Sequence, residues 1–153
     1  MAKEIVGVAL CVRCTPNETI LFIEELKGKP DLSKKVGSLS VPMETIEDYE
    51  TVPNAVLRLI KEEVGPDFLD KLKGFQLFED PIRGAYASGV LFTLYVAWVD
   101  VEDEFTARPT DHDIAHHGWC NEMQIEQLQA DGNLRIEAPL VLALSRSQMQ
   151  IKT

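Results

Sequence analysis

A mixed α/β fold of the α+β kind, one β-sheet with a few helices, is what this sequence predicts, and three observations carry that expectation. Two β-rich runs near the N-terminus, EIVGVALCVRC and TILFIEEL, flank a TPNE turn, as in a hairpin. A run with helical spacing, NAVLRLIKEEV, ends in Gly65-Pro66, a pair that closes a helix and prevents its continuation. Further strand-like runs are interleaved with only a few helical ones, which favours a mixed sandwich over a doubly wound sheet.

Taken in order, residues 4–26 form the hairpin, and KGKPDLSKK is a polar link. VGSLSVP is a short strand, and METIEDYETV, acidic and without a period, is an ordered loop. Thr51 is placed to cap the next helix and Pro53 to sit in its first turn. Val56, Leu57, Ile60 and Val64 recur at helical spacing and are expected to face the core, with Glu62 and Glu63 accessible. PDFLDKL is a short helical fragment. Two strands, GFQLFEDPIRG and ASGVLFTLYVAWVDV, meet through DPIRGAYASG. The stretch EDEFTARPTDHDIAHHG reads as a polar loop that leads to a short strand or turn around Trp119. NEMQIEQLQ is a short helix, and APLVLALSRSQMQ is a terminal one with Leu140, Val141 and Leu144 inward. With no repeat and no linker, residues 1–153 are expected to make a single domain.

Composition narrows the function. At 153 residues, 45% hydrophobic and 26% charged, the chain can bury a core without staples. Its longest apolar stretch, GVLFTLYVAWV, is too short to span a membrane. The N-terminal MAKEIVGVAL alternates like a strand rather than a signal peptide, so a cytoplasmic protein is expected. A net charge of −10 leaves no basic stripe for a nucleic-acid backbone. A small phosphorylated ligand stays open, because a bound divalent metal inverts the local field. Cys11 and Cys14 form a C-x-x-C inside a strand pattern. Zinc there would need Cys120 or His112, His116 and His117 to converge, and buried reduced thiols are the favoured reading.

The chemistry concentrates in RLIKEEVGP, residues 58–66. On a helix Arg58 and Glu62 share one face, while Leu59 and Glu63 share the adjacent one. Two glutamates near a helix end are most often a solvated face. More than that pair is present here, however. Glu50 is followed by seven residues and then by Arg58, Leu59, Ile60, Lys61, Glu62, Glu63, Val64 and Gly65.

That spacing, together with the order of elements and Trp119 before a short helix, resembles the Nudix hydrolase family, whose box reads G-x5-E-x7-R-E-U-x-E-E-x-G. The resemblance implies a Nudix-like α/β/α sandwich with a mixed β-sheet. It also implies Mg²⁺ or Mn²⁺ held by Glu62 and Glu63, and a Glu50–Arg58 ion pair that braces the loop. The first half of the box departs from the pattern. Pro42, Met43 and Glu44 stand where Pro-Gly-Gly is usual, Tyr49 replaces a common glycine, and Leu59 replaces the first glutamate of the helix. A glutamate forced into the left-handed region would cost about 1–2 kcal/mol, so the loop is expected to take another shape.

The resemblance further implies hydrolysis of a nucleoside diphosphate linked to another group, a nucleotide or sugar nucleotide, with weak or altered activity. Nucleoside triphosphates should be poor substrates. The base would come from the loop TDHDIAHHGW, with His116 and His117 titrating nearest neutrality. A sugar-nucleotide branch of the family shares the Arg-Leu pair and uses a histidine. Lys34, Lys35 and Arg83 are candidates for phosphate contact. Restoring a carboxylate by Leu59→Glu is expected to raise activity. Family members are often dimers, which implies a homodimer here. The competing expectation is a non-catalytic domain that binds a nucleotide or a protein.

Overall fold

Strand β1 (Glu4–Cys14) organises the sheet because both of its edges are paired. Along one edge it runs parallel to β7 (Leu91–Val101), in register from Glu4↔Leu91 to Cys14↔Val101. The other edge is divided. Gly7–Ala9 pair antiparallel with β4 (Met43–Thr45), and Arg13–Cys14 pair with β2 (Thr19–Glu25). β2 also carries β3 (Leu39–Ser40) and β8 (Ile114–Cys120), with a bulge between Phe22 and Ile23. β5 (Gln76–Leu77) and β6 (Ile82–Ala85) lie antiparallel to β7. Gly7 is where β4 comes closest, since a Cβ there would stand 2.8 Å from the Glu44 carbonyl oxygen. The structure, a computed structural model, describes residues 4–29 and 35–150, of which 147–150 by backbone alone.

The helix with the carboxylates begins as the sequence indicates. Thr51 caps α1 (Val52–Leu59), its hydroxyl accepting from the Asn54 N–H at 3.2 Å, and proline occupies the first turn. The helix then widens into a π-helical turn over Ile60–Val64, closed by the Gly65 N–H on the Ile60 carbonyl at 2.8 Å. α2 (Pro66–Lys71) follows. α3 (Glu122–Ala130) opens on a reciprocal Asn121–Gln124 capping box, and α4 (Ala138–Gln150) completes the described chain.

Alternation along β1 supplies both faces of a sandwich. Ala9 and Cys11 enter a core with Phe22, Phe92, Leu94, Ile125, Val141 and Leu142, beneath α3 and α4. Val8, Leu10 and Val12 enter another with Leu21, Ala55, Val56, Leu59, Ile60 and Val64, beneath α1 and the π turn. The expected mixed sheet between helical layers is therefore present.

Several local expectations are corrected. Leu57 is 40% exposed, whereas Leu59 is wholly buried and Glu63 only 3% exposed. The helix leans on its 55–59 side, and side chains 57 and 59 are both leucine, so composition could not choose between them. Met43–Thr45 is a strand within the expected loop, because Gly7 lets its backbone pair with β1. Ile114–His117 likewise belongs to β8 rather than to a loop. Leu140 is 42% exposed, while Val141 and Leu142 are buried and Leu144 partly so. Cys11 and Cys14, three apart on a strand, face opposite sides of the sheet. Cys11, Cys14 and Cys120 are all free and buried. Among the described residues no helix is long and apolar enough to cross a membrane.

Candidate active site

Arg58 holds the loop before α1 to the helix. Its Nε and one terminal nitrogen donate to the two Glu50 oxygens at 2.8 and 2.9 Å, a two-point contact that a planar guanidinium makes well. The same terminal nitrogen donates to the Thr45 carbonyl, and the other donates to Glu62 Oε2 at 3.2 Å. Glu50 also accepts from the Glu47 N–H at 2.9 Å. The Arg58 fork, and next that amide, bring the Glu50 carboxyl down to about 2, while Glu50 in turn raises Arg58. This is the bracing ion pair in the expected position.

The two helix glutamates behave differently. Glu62 has a side chain 36% exposed and paired with Arg58. Glu63 is buried, and its Oε1 accepts from the Met43 N–H at 3.1 Å. Burial, and secondarily the charge of Glu44, pushes the Glu63 carboxyl well above the usual carboxylate range. Glu44, standing where the box glycine is usual, lies on β4 with ordinary strand backbone. Glu18 alone among described non-glycine residues has positive φ. Burial, then a hydrogen bond and repulsion from Glu62, push the Glu44 carboxyl up to about 7. Its Oε2 lies 3.6 Å from Arg58.

Glu44 and Glu63, but not Glu62, line a cleft of about 120 Å³, together with Asp111, Asp113, Lys27, Lys29, Arg135 and Glu137 at its polar side and Ile5, Gly7 and Leu94 on the sheet. The loop that brings Asp111 here is fastened to the π turn. Thr110 and Asp111 donate their N–H groups to the Glu62 carbonyl at 2.9 and 3.0 Å, and Arg108 donates to that of Val64 at 2.8 Å. The wider turn thus offers its carbonyls to a neighbouring loop, and its carboxylates stay near that loop. Lys27 pairs with Asp113 at 3.4 Å.

A buried polar cluster forms one wall of the cleft. Arg135 donates to Glu25 at 3.0 Å and to Glu137 at 2.6 Å, and the Tyr86 hydroxyl donates to Glu137 at 2.7 Å. Burial, followed by Glu137, raises the Tyr86 phenol. Sequence reading missed Glu25, Tyr86, Arg135 and Glu137, since their spacing carries no motif. It also missed Lys27 and Lys29, which look like ordinary link residues.

The remaining expected residues lie elsewhere. His116 lies on β8, and its Nδ1 accepts from the Ala107 N–H at 3.0 Å. Burial, with His117 beside it, lowers the His116 imidazole. His117 is exposed, and neither histidine lines the cleft. Lys35 is exposed and also off the cleft lining. Arg83 pairs with Thr93, one residue out of step with Leu94, so it is exposed on the opposite face of the sheet. Lys34 is outside the described residues. Trp119 donates to the Phe105 carbonyl at 2.7 Å and meets that ring edge-on, a structural role.

From β4 and the helix, the Glu44 and Glu63 carboxylates line the cleft beside Thr45, all of them oxygen ligands of the kind hard divalent cations prefer. Among the described residues Glu63 Oε2 receives no hydrogen bond, and Glu137 Oε1 is buried without a partner. Those oxygens fit a cation. Among the described residues no three His, Cys, Asp or Glu side chains form a ready-made metal cage.

Comparison with known proteins agrees with this geometry. No curated protein matches the sequence. A NUDIX hydrolase from Nitrosomonas europaea superposes with a TM-score of 0.68 at 21% identity, covering 98% of this chain and 91% of that one. The NUDIX domain of Shewanella oneidensis NrtR, solved with ADP-ribose, gives 0.71 at 12% identity, covering 97% and 90%. A bifunctional NMN adenylyltransferase/ADP-ribose pyrophosphatase from Francisella tularensis, solved with AMP and manganese, gives 0.65 at 14% identity, covering 97% of this chain and 42% of that one. The NUDIX domain model matches residues 4–141, most of the chain, and the chain therefore belongs to the Nudix family.

Proposed function

We propose that the protein is a Mg²⁺- or Mn²⁺-dependent hydrolase of a nucleoside diphosphate linked to a second group, with weak or altered activity. The observation that carries this reading is Glu63. Burying a carboxylate costs several kcal/mol unless something compensates for it. Here one oxygen is held by a backbone N–H and the other has no described partner on a cleft lined by lysines.

Glu62 and Glu63 would hold the cation, which when bound neutralises phosphate charge and polarises the attacked phosphorus. Lys27 and Lys29 line the same cleft and meet the outer phosphate oxygens. Asp111 is positioned to take the proton from the attacking water. Its Oδ1 is occupied by the Asp113 N–H at 2.9 Å, which leaves Oδ2 as the base. Ligands seen in structural relatives, ADP-ribose and AMP with manganese, support a diphosphate-linked substrate and put ADP-ribose first among compounds to test. Three free, buried thiols support a reducing, cytoplasmic setting.

A hydrolysis screen tests this. ADP-ribose, sugar nucleotides, dinucleoside polyphosphates and nucleoside triphosphates are incubated with Mg²⁺ or Mn²⁺, with Glu63→Gln as control. Turnover of a diphosphate-linked compound, lost in Glu63→Gln, is the expected result. Tight binding without turnover would support the second reading, a ligand-binding Nudix domain, which the Glu62–Arg58 pairing favours. Neither binding nor turnover of any of these compounds would overturn both.

A further inference from the structure

We propose that Glu44 supplies, from strand β4, the third metal-binding carboxylate that the helix lacks at Leu59. The inference rests on the cation-dependent reading above. Its ground is the way β4 is fastened. The Met43 N–H just before Glu44 holds Glu63, and the Thr45 carbonyl just after it holds Arg58. Gly7 leaves room for the Glu44 backbone at this point, where any Cβ would collide with it. Glu44 is thereby clamped beside both helix glutamates by main-chain contacts.

Charge counting supports the same role. Glu44, Glu50 and Glu62 all pair with one guanidinium, and the Nε–terminal edge of that guanidinium is taken by Glu50. Glu44 and Glu62 share the remaining nitrogen, at 3.6 and 3.2 Å. Among the described residues no other cation pairs with Glu44 or Glu62, since Lys27 pairs with Asp113 and Arg135 with Glu25 and Glu137. The sign that a cation fills this need is Glu63 itself, 3% exposed, with one oxygen held by the Met43 N–H and no described partner at the other. Leu59 lies wholly in the core and its side chain carries no donor atom, so the helix offers no third ligand from that position. Glu44 and Glu62 would turn from their shared Arg58 nitrogen to the cation.

The test is a Mn²⁺ titration of the intact protein, read by loss of the free-ion electron paramagnetic resonance signal, with and without ADP-ribose. Wild type is compared with Glu44→Gln, Glu44→Gly, Glu44→Asp and Glu63→Gln, each checked for fold by circular dichroism. Glu44→Gln and Glu44→Gly should weaken Mn²⁺ binding by about tenfold or more, with Glu44→Asp in between. Wild-type affinity in both Glu44→Gln and Glu44→Gly, beside a loss in Glu63→Gln, would overturn the role of Glu44 and leave the cation-dependent reading standing. Absence of Mn²⁺ binding by the wild type under both conditions would overturn the two together.

Discussion

Leu59 shows how a single residue changes meaning between sequence and structure. By alignment it marks a lost carboxylate. By packing it is a core residue among Val8, Leu10, Val56 and Ile60. The expectation that Leu59→Glu raises activity therefore reverses. The new carboxylate would enter an apolar core without a partner, at a cost of about 3–5 kcal/mol. Urea denaturation should show that loss, and hydrolysis should not improve. Higher activity at unchanged stability would mean that side chain 59 reaches the cleft. Cys11 gives a second residue-scale expectation. Burial first, eased slightly by a Ser145 hydrogen bond and Arg13, pushes its thiol from an ordinary 9.0 up to about 11. Between those values the native thiol keeps a proton that the unfolded thiol has lost. Stability is therefore unaffected below pH 9 and falls as pH rises toward 11. Cys11→Ala should flatten that decline in denaturation measured across the range. A slope identical in the variant would assign the decline to other groups.

Among the elements, the helix was legible where local chemistry decides it and illegible where it widens. Thr51, Pro53 and Gly65 mark its ends in the sequence, because capping and stopping depend on single residues. The π turn over Ile60–Val64 leaves no such mark. Its extra residue lets Ile60, Glu63 and Val64 all be buried, a pattern that a charged residue would contradict in any reading from hydrophobic spacing. Gly65 carries more than the stop. Its φ is 129°, and a Cβ would stand 2.9 Å from the Arg108 carbonyl oxygen. Gly65→Ala must strain the backbone or push away the loop that hangs on the Glu62 and Val64 carbonyls, costing about 1–3 kcal/mol. Amide hydrogen exchange at Thr110 and Asp111 should accelerate, and hydrolysis should fall as Asp111 shifts. Unchanged protection at both amides would show that the loop is held independently of Gly65.

Across the whole molecule, contacts distant in sequence escaped the reading altogether. The two cores followed from strand alternation, which is a local signal. The Glu25–Arg135 pair joins residues 110 apart, and nothing near either one announces the other. That pair, with Glu137 and Tyr86, ties β2 to the segment before α4 along one wall of the cleft. Arg135 pairs with both Glu25 and Glu137, so Arg135→Met removes their shared cation at a cost of about 3–5 kcal/mol. The penalty must depend on pH. In the variant each carboxylate is better tolerated protonated than charged, so the penalty grows as pH rises and the carboxylates ionise. Relative to wild type, Arg135→Met should lose little near pH 5 and most near pH 8 in parallel urea titrations. Replacing Glu25 and Glu137 by glutamine in the same chain should remove the pH dependence, because no ionisable partner remains. A penalty equal at both pH values, or one that survives the triple substitution with its slope intact, would show that Arg135 serves packing rather than charge.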